Sequence, residues 1–91
     1  MNNFKLIAVY SDENQLSYII TLTTAFLQEK KNFNFEYFDS NNSFCNLYGV
    51  KTFPSFYFLK NDKVAFIIQG KLDYTELKNQ LISHSYVKFD E

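Results

Sequence analysis

The chain has 91 residues, a length that accommodates one domain with a single core. Hydrophobic residues make up 46% of it, which excludes an intrinsically disordered chain. The net charge is −1, and lysines and acidic residues are scattered, so the concentrated positive charge of a nucleic-acid-binding surface is missing. No apolar run approaches the roughly 18 residues of a membrane-spanning helix, and we therefore expect no membrane partner.

The cysteine content and the first residues bear on compartment and cofactors. Cys45 is the only cysteine and His84 the only histidine, so neither an internal disulfide nor a cysteine–histidine metal site is expected. Residues 1–5 lack the features of a signal peptide. These observations predict a cytoplasmic protein without a metal or cofactor.

The first half of the chain predicts a strand and then a helix. Residues 5–10 form a nearly continuous apolar run, typical of a parallel strand covered on both faces. Residues 11–13 then offer helix-capping oxygens and early acidic charge. The predicted buried face of the helix has helical spacing and consists of Leu16, Ile19, Ile20, Phe26 and Leu27.

A second strand, a short helix, a hairpin and a last helix follow. Aromatic residues alternate over residues 33–37, in a strand that ends near Asp39, and residues 44–48 predict a short helix closed by Gly49. Residues 55–60 and 63–69 predict two strands joined by a tight turn at Asn61 and Asp62, since both residue types tolerate positive φ.

The last helix has a distinct start signal. Asp73 and Glu76 have the spacing of a capping box, and Leu72 and Leu77 have that of its hydrophobic staple. The predicted fold class is therefore α/β, β-α-β-(short α)-β-β-α. It has a four-stranded mixed sheet in the order 2-1-3-4 and helices on both faces. A right-handed crossover makes strands one and two parallel, and the hairpin adds two antiparallel strands. Residues 1–83 form the domain and residues 84–91 a polar tail.

The second half of the chain resembles the thioredoxin family. Residues 49–64 read Gly-Val-Lys-Thr-Phe-Pro-Ser-Phe-Tyr-Phe-Leu-Lys-Asn-Asp-Lys-Val, similar to that family's proline element, apolar strand and hairpin turn. Asp39 and Asn41 precede this stretch as the family's Asp-x-Asn does, and Gly70 matches the glycine after the last strand. The resemblance covers roughly residues 5–82 and implies a thioredoxin-like fold in which Pro54 is cis and faces the active-site loop.

The resemblance also implies that the active site has changed. Aligning the first strand places residues 10–17 over the family's Trp-Ala-x-Trp-Cys-Gly-Pro-Cys, with Asn14 on the nucleophilic cysteine and Ser17 on the resolving one. Ala8 and Phe35 stand where the family often has a buried Asp and its Lys partner. Attack on a disulfide requires a thiolate, so this loop is expected not to exchange disulfides, and we predict that the chain is not an enzyme.

These expectations favour a redox-inactive binding module. In thioredoxins the backbone beside the cis-proline pairs with an extended client segment, a contact that does not need cysteine. The predicted partner is a protein or extended peptide, and Asn14 has the alternative role of capping the helix. The predicted binding residues are Tyr10, Asn14, Leu16, Ser17, Phe53, Pro54 and Ser55, with Tyr10 as a partly exposed platform.

Two other functions stay open at this point. The aromatic content of 20% allows a structural subunit or a homo-oligomer, and the oligomeric state is not predicted. A monothiol redox protein using Cys45 is the less favoured alternative, because a free cysteine is commonly a small buried hydrophobe. It would require an exposed thiol with a depressed pKa.

Overall fold

The computed structural model describes residues 4–31 and 33–84. The elements follow the predicted β-α-β-α-β-β-α order. In chain order they are β1 (Phe4–Tyr10), α1 (Glu13–Glu29), β2 (Asn34–Asp39), α2 (Ser43–Leu47), β3 (Ser55–Lys60), β4 (Lys63–Gln69) and α3 (Tyr74–Ser83). Within the described residues, no helix has the length and apolar content needed to cross a bilayer.

The four strands form one mixed sheet in the order β2-β1-β3-β4, which confirms the predicted topology. β1 runs parallel to β2, as a right-handed βαβ crossover requires, and antiparallel to β3. β3 and β4 form an antiparallel hairpin, and its turn places Asn61 at φ 53° and Asp62 at φ 67°. Both residues thus adopt the positive φ that a primed turn needs.

The larger hydrophobic cluster lies on the face of the sheet that is covered by both long helices. It joins Leu6 and Ala8 of β1 to Phe56 and Phe58 of β3. Its other buried members are Ile19, Leu22, Phe26, Leu72, Leu77 and Leu81. The two residues of the predicted staple, Leu72 and Leu77, are therefore both buried in this cluster.

The opposite face carries a smaller cluster beneath the short helix α2. Ile7 and Val9 of β1, Cys45 of α2, and Tyr57 and Leu59 of β3 form its buried part. Side chains that alternate along β1 and β3 thus fill both clusters, which accounts for the continuous burial of these two strands. Helices cover both faces as predicted, but the two long helices share one face and α2 occupies the other.

The buried side of α1 differs from the predicted one at Ile20. The residues of α1 that are buried are Ile19, Leu22, Thr23 and Phe26, whereas Ile20 is 43% exposed. The apolar stripe is therefore centred between Ile19 and Phe26 and does not extend round to Ile20. Thr23 fits into the core because its hydroxyl donates to the Ile19 carbonyl at 3.0 Å.

Both long helices begin at an aspartate. The side chain of Asp12 accepts from the Gln15 amide and caps α1. Asp73 and Glu76 form the predicted capping box, in which each carboxylate accepts from the other residue's backbone N–H, at 2.8 and 2.9 Å. Asn14, the alternative cap suggested by the sequence, lies inside the first turn of α1, so the capping role belongs to Asp12.

The end of α3 lies close to the predicted domain boundary. α3 ends at Ser83, and His84 is its C-cap, with an imidazole that stacks on the Phe66 ring at 3.8 Å between centroids. His84 was assigned to the polar tail by the sequence prediction, but it packs against the domain. The rest of the predicted tail, residues 85–91, lies outside the described residues.

Neighbouring isoleucines on α1 give a matched test of the core. Ile19 is fully buried and Ile20 is 43% exposed. We expect Ile19→Ala to lower the free energy of unfolding by about 2–5 kcal/mol, because it removes buried methyl groups and leaves a cavity. Ile20→Ala should change it by less than about 0.5 kcal/mol. Urea unfolding followed by circular dichroism measures both, and similar costs for the two substitutions would contradict the assigned face.

Candidate functional site

One end of the sheet brings the end of β1 and the start of β3 together. The antiparallel register pairs Val9 with Ser55, so Tyr10 and Pro54 are neighbours just beyond this pair. The Phe53–Pro54 peptide bond is cis. We call the site formed by Ser11, Gln15 and residues 52–55 the Pro54 corner.

Main-chain and hydroxyl hydrogen bonds fix the Pro54 corner to the sheet. The Gly70 N–H donates to the Pro54 carbonyl at 2.8 Å, and the Ser55 hydroxyl donates to the Thr52 carbonyl. Pro54 and Ser55 are buried, whereas Phe53 is half-buried and packs against the smaller cluster. Of these three residues, Phe53 alone is partly accessible to a partner.

Gln15 connects the start of α1 to the Pro54 corner. Its Oε1 accepts from the Ser11 backbone N–H at 2.7 Å and from the Ser11 hydroxyl at 3.2 Å. Its Nε2 donates to the Phe53 carbonyl at 3.4 Å. The side chain of Gln15 thus spans the gap between the β1–α1 turn and the residue before Pro54.

Asn14 and Ser17 lie away from the Pro54 corner. Both side chains are exposed, and both line a groove of about 530 Å³ between α1 and the start of α3. Within the described part of the chain neither side chain has a hydrogen-bond partner. Four predicted binding residues therefore lie at the Pro54 corner or next to it, namely Tyr10, Phe53, Pro54 and Ser55, whereas Asn14 and Ser17 lie in the groove.

The rings of Tyr18 and Tyr74 line this groove, and their hydroxyls form hydrogen bonds with other residues of the domain. The Tyr18 hydroxyl donates to the Leu72 carbonyl and accepts from the Leu72 N–H, and the Tyr74 hydroxyl donates to Glu29. Burial raises the pKa of Tyr18. Burial and the Glu29 hydrogen bond raise the pKa of Tyr74 to about 12. These contacts bind α3 to α1 and leave the two tyrosine rings to line the groove.

Leu16 and Tyr10, two further residues of the predicted site, are only partly accessible. Leu16 is half-buried and lines a shallow depression of about 320 Å³ on the outer side of α1, together with Ser17 and Ile20. Tyr10 is half-buried and packs against the larger cluster. The Tyr10 ring therefore lies on the sheet face opposite to Phe53, which packs against the smaller cluster.

Gln15 is the residue of this site that sequence reasoning missed. A lone glutamine is not part of a recognisable motif, and the alignment with the thioredoxin motif placed Asn14 and Ser17 at the two cysteine positions. A helical signal was nevertheless present. Once Asp12 is taken as the N-cap, Gln15 is the third residue of the helix, where a Glu or Gln side chain commonly turns back over the preceding loop.

Comparison with known proteins was made by sequence and by structure. No protein-family profile and no curated protein matches the chain by sequence. The structure is similar to thioredoxin f2 of Chlamydomonas reinhardtii, with a TM-score of 0.79 over 97% of this chain and 84% of that one, at 16% identity. The chain has the thioredoxin fold.

Two further thioredoxins show the same similarity. A mutant thioredoxin from Halobacterium salinarum has a TM-score of 0.77 over 96% of this chain and 79% of its own, at 19% identity. The thioredoxin of Fasciola hepatica has a TM-score of 0.75 over 90% of this chain and 81% of its own, at 20% identity. At these identities the similarity establishes the fold alone.

Ala8 and Phe35 are the two positions at which the resemblance implied apolar residues in place of an ion pair. Ala8 is fully buried, and Phe35 is half-buried with its ring against Phe26 at 5.5 Å between centroids. Both side chains belong to the larger cluster or pack on it. Replacing a buried ion pair by apolar groups of similar volume is often neutral or favourable for stability.

The thiol of Cys45 is enclosed beneath α2. The residue is 3% exposed, and its Sγ lies 3.4 Å from the Asp39 carbonyl, to which it donates. Burial, followed by the nearby Asp39 charge, raises the pKa of this thiol. Among the described residues, no group of three or more His, Cys, Asp or Glu side chains is placed to hold a metal ion.

Burial of Cys45 predicts a slow reaction with thiol reagents. In the native state we expect negligible labelling by 5,5′-dithiobis(2-nitrobenzoate), because the thiol is enclosed and its thiolate is disfavoured. Full labelling is expected in urea. A Leu47→Cys variant is the control, since Leu47 belongs to the same helix and is 78% exposed. Equal native-state rates for the two thiols would contradict the burial of Cys45.

The Tyr74–Glu29 contact predicts a loss of stability at alkaline pH. The folded state holds the Tyr74 proton up to a pKa of about 12, against an ordinary value of 10.0, so this stabilisation is complete below pH 10 and is lost towards pH 12. Tyr74→Phe removes the ionising group. Urea unfolding of both proteins should show a stability difference that shrinks over this pH range, and a constant difference would contradict the shift.

Proposed function

We propose that this protein is a redox-inactive thioredoxin-like binding module, whose Pro54 corner pairs with an extended segment of a partner protein. The observation that carries the proposal is the hydrogen bonding of the Phe53 main chain. Its backbone N–H has no hydrogen-bond partner among the described residues, and its carbonyl is contacted only by the Gln15 side chain at 3.4 Å. The residue therefore has main-chain groups available for a further chain.

Pairing at a single residue is a known form of β-augmentation. The N–H and C=O of an extended residue point to the same side, so Phe53 can exchange two hydrogen bonds with one residue of a partner segment. Specificity comes from the side chains that flank such a contact. Here the half-buried rings of Tyr10 and Phe53, which pack against clusters on opposite faces of the sheet, are the proposed apolar surfaces on its two sides.

Three features support the absence of disulfide exchange. The chain has one cysteine, and that residue is 3% exposed with a raised pKa. Asn14 and Ser17, which the proposed alignment places over the thioredoxin cysteines, have no thiol. Activation of the Ser17 hydroxyl would require a base. The single imidazole, that of His84, is stacked on Phe66 at the far end of α3.

A structural subunit is the second candidate function, and one observation favours it. Leu47 at the end of α2 is 78% exposed and adjoins Tyr48, which is 43% exposed. Tyrosine is enriched among the residues that dominate binding at protein interfaces, and here an exposed leucine lies beside one. A cytoplasmic location, inferred from the sequence, belongs to the proposal in both cases.

Redox inactivity is tested by the reduction of insulin with dithiothreitol. We expect the purified protein to leave the uncatalysed rate unchanged, because its thiol is enclosed and stands alone. A thioredoxin with an intact cysteine pair serves as the positive control. Acceleration to a rate comparable with that control would refute the redox-inactive assignment.

The binding proposal is tested with a library of random twelve-residue peptides displayed on phage and selected on the immobilised protein. A selected peptide should bind the Tyr10→Ala, Phe53→Ala double variant at least about tenfold more weakly, since truncated aromatic anchors commonly cost more than 1 kcal/mol each. Leu47→Ala is the control, because this exposed side chain lies on α2. Circular dichroism and thermal unfolding establish that each variant is folded.

Main-chain pairing makes a further demand on the same peptide. Stepwise N-methylation along it should abolish binding at one or two positions, where the amide donates to the Phe53 carbonyl. Uniform tolerance of N-methylation, or equal affinity for the double variant and the wild type, would argue against the Pro54 corner as the site.

A further inference from the structure

The side chain of Gln15 occupies a group that the proposed partner needs. Its Nε2 donates to the Phe53 carbonyl at 3.4 Å, and this carbonyl is one of the two main-chain groups available for pairing. The orientation of the amide is determined by its other end. Oε1 accepts two hydrogen bonds from Ser11, one from the backbone N–H and one from the hydroxyl, so Nε2 is the atom that faces Phe53.

We propose that Gln15 is an intramolecular latch that closes the Pro54 corner, and that a partner segment binds by displacing its amide from Phe53. This inference rests on the proposed function. The displaced contact is neutral and involves one N–H donor. The matching group on the partner is therefore a backbone N–H, which means that the partner residue facing Phe53 is not proline.

Opening the latch does not require α1 to unwind. The start of the helix is held by Asp12, whose side chain accepts from the Gln15 backbone N–H at 2.9 Å and whose carbonyl accepts from the Leu16 N–H at 3.1 Å. These bonds involve the backbone of Gln15, whereas the latch uses only its side chain. A movement of the side chain alone is thus sufficient, and such movements are fast compared with binding; a full change of rotamer would also release the two Ser11 hydrogen bonds to Oε1.

The latch is expected to reduce the affinity of the corner to a modest extent. A partner must first displace a protein–protein hydrogen bond, and its apparent affinity falls with the fraction of molecules that are open. One hydrogen bond in water has a small net value, which corresponds to an effect of about two- to tenfold in affinity. The long Nε2–carbonyl distance of 3.4 Å agrees with a contact that opens readily.

The test uses Gln15→Met, which keeps the length and helix preference of the side chain but removes its amide. Gln28→Met is the matched control, because Gln28 is an exposed residue of the same helix. In the free protein, hydrogen exchange measured by NMR should show a Ser11 amide that is protected in the wild type and in Gln28→Met and exchanges faster in Gln15→Met. A Ser11 amide that exchanges equally fast in all three proteins would refute the latch.

Binding is measured with the phage-selected peptide of the preceding section. We expect Gln15→Met to bind it about two- to tenfold more tightly than the wild type, with Gln28→Met unchanged. Equal or weaker binding by Gln15→Met, with the Tyr10→Ala, Phe53→Ala variant still impaired, would overturn the latch and leave the proposed function intact. If affinity for the peptide does not depend on Tyr10 and Phe53, the proposed function fails, and the latch with it.

Discussion

The antiparallel pairing of β1 with β3 is the constraint on which the proposed site depends. Because Val9 pairs with Ser55, the chain leaves β1 at the place where it enters β3. The turn that follows Tyr10 therefore meets the residues that precede Ser55, although more than forty residues separate them in sequence. Gln15 reaches Phe53 only because this register holds. A slip of one residue would also turn the buried side chains of β1 towards the wrong cluster.

The two faces of the sheet contribute to the site in different ways. The larger cluster is covered by α1 and α3, which are joined by hydrogen bonds of Tyr18 with Leu72 and of Tyr74 with Glu29. This packing fixes the direction in which α1 approaches the sheet and so fixes its first turn. The smaller face is covered by a five-residue helix and contains the thiol. The single thiol of this chain and the groove lined by Asn14 and Ser17 are thus on different sides of the sheet.

Much of the fold was predictable because its signals are local. The hairpin turn at Asn61 and Asp62 and the capping box of Asp73 are each specified by residues close in sequence, and the helix between β1 and β2 favours their parallel pairing. The direction of individual side chains on α1 was less predictable. Ile20 is apolar but exposed, because the stripe that faces the sheet is narrower than the apolar pattern. Asn14 and Gln15 are adjacent amides, and although the third helical position of Gln15 favours a side chain turned back over the loop, its contact with Phe53 depends on the tertiary fold.

The chemistry of the Pro54 corner follows from the kinds of groups that meet there. Ser11, Gln15 and the backbone of Phe53 are all uncharged, and the adjacent carboxylate of Asp12 accepts from the Gln15 backbone N–H as the cap of α1. For the proposed partner segment, selectivity would come from hydrogen-bond geometry and from the shape of the flanking rings. Such contacts are individually weak in water, which suits a reversible interaction with an extended segment. In the proposed function, the Pro54 corner therefore acts through its backbone geometry and not through a thiol.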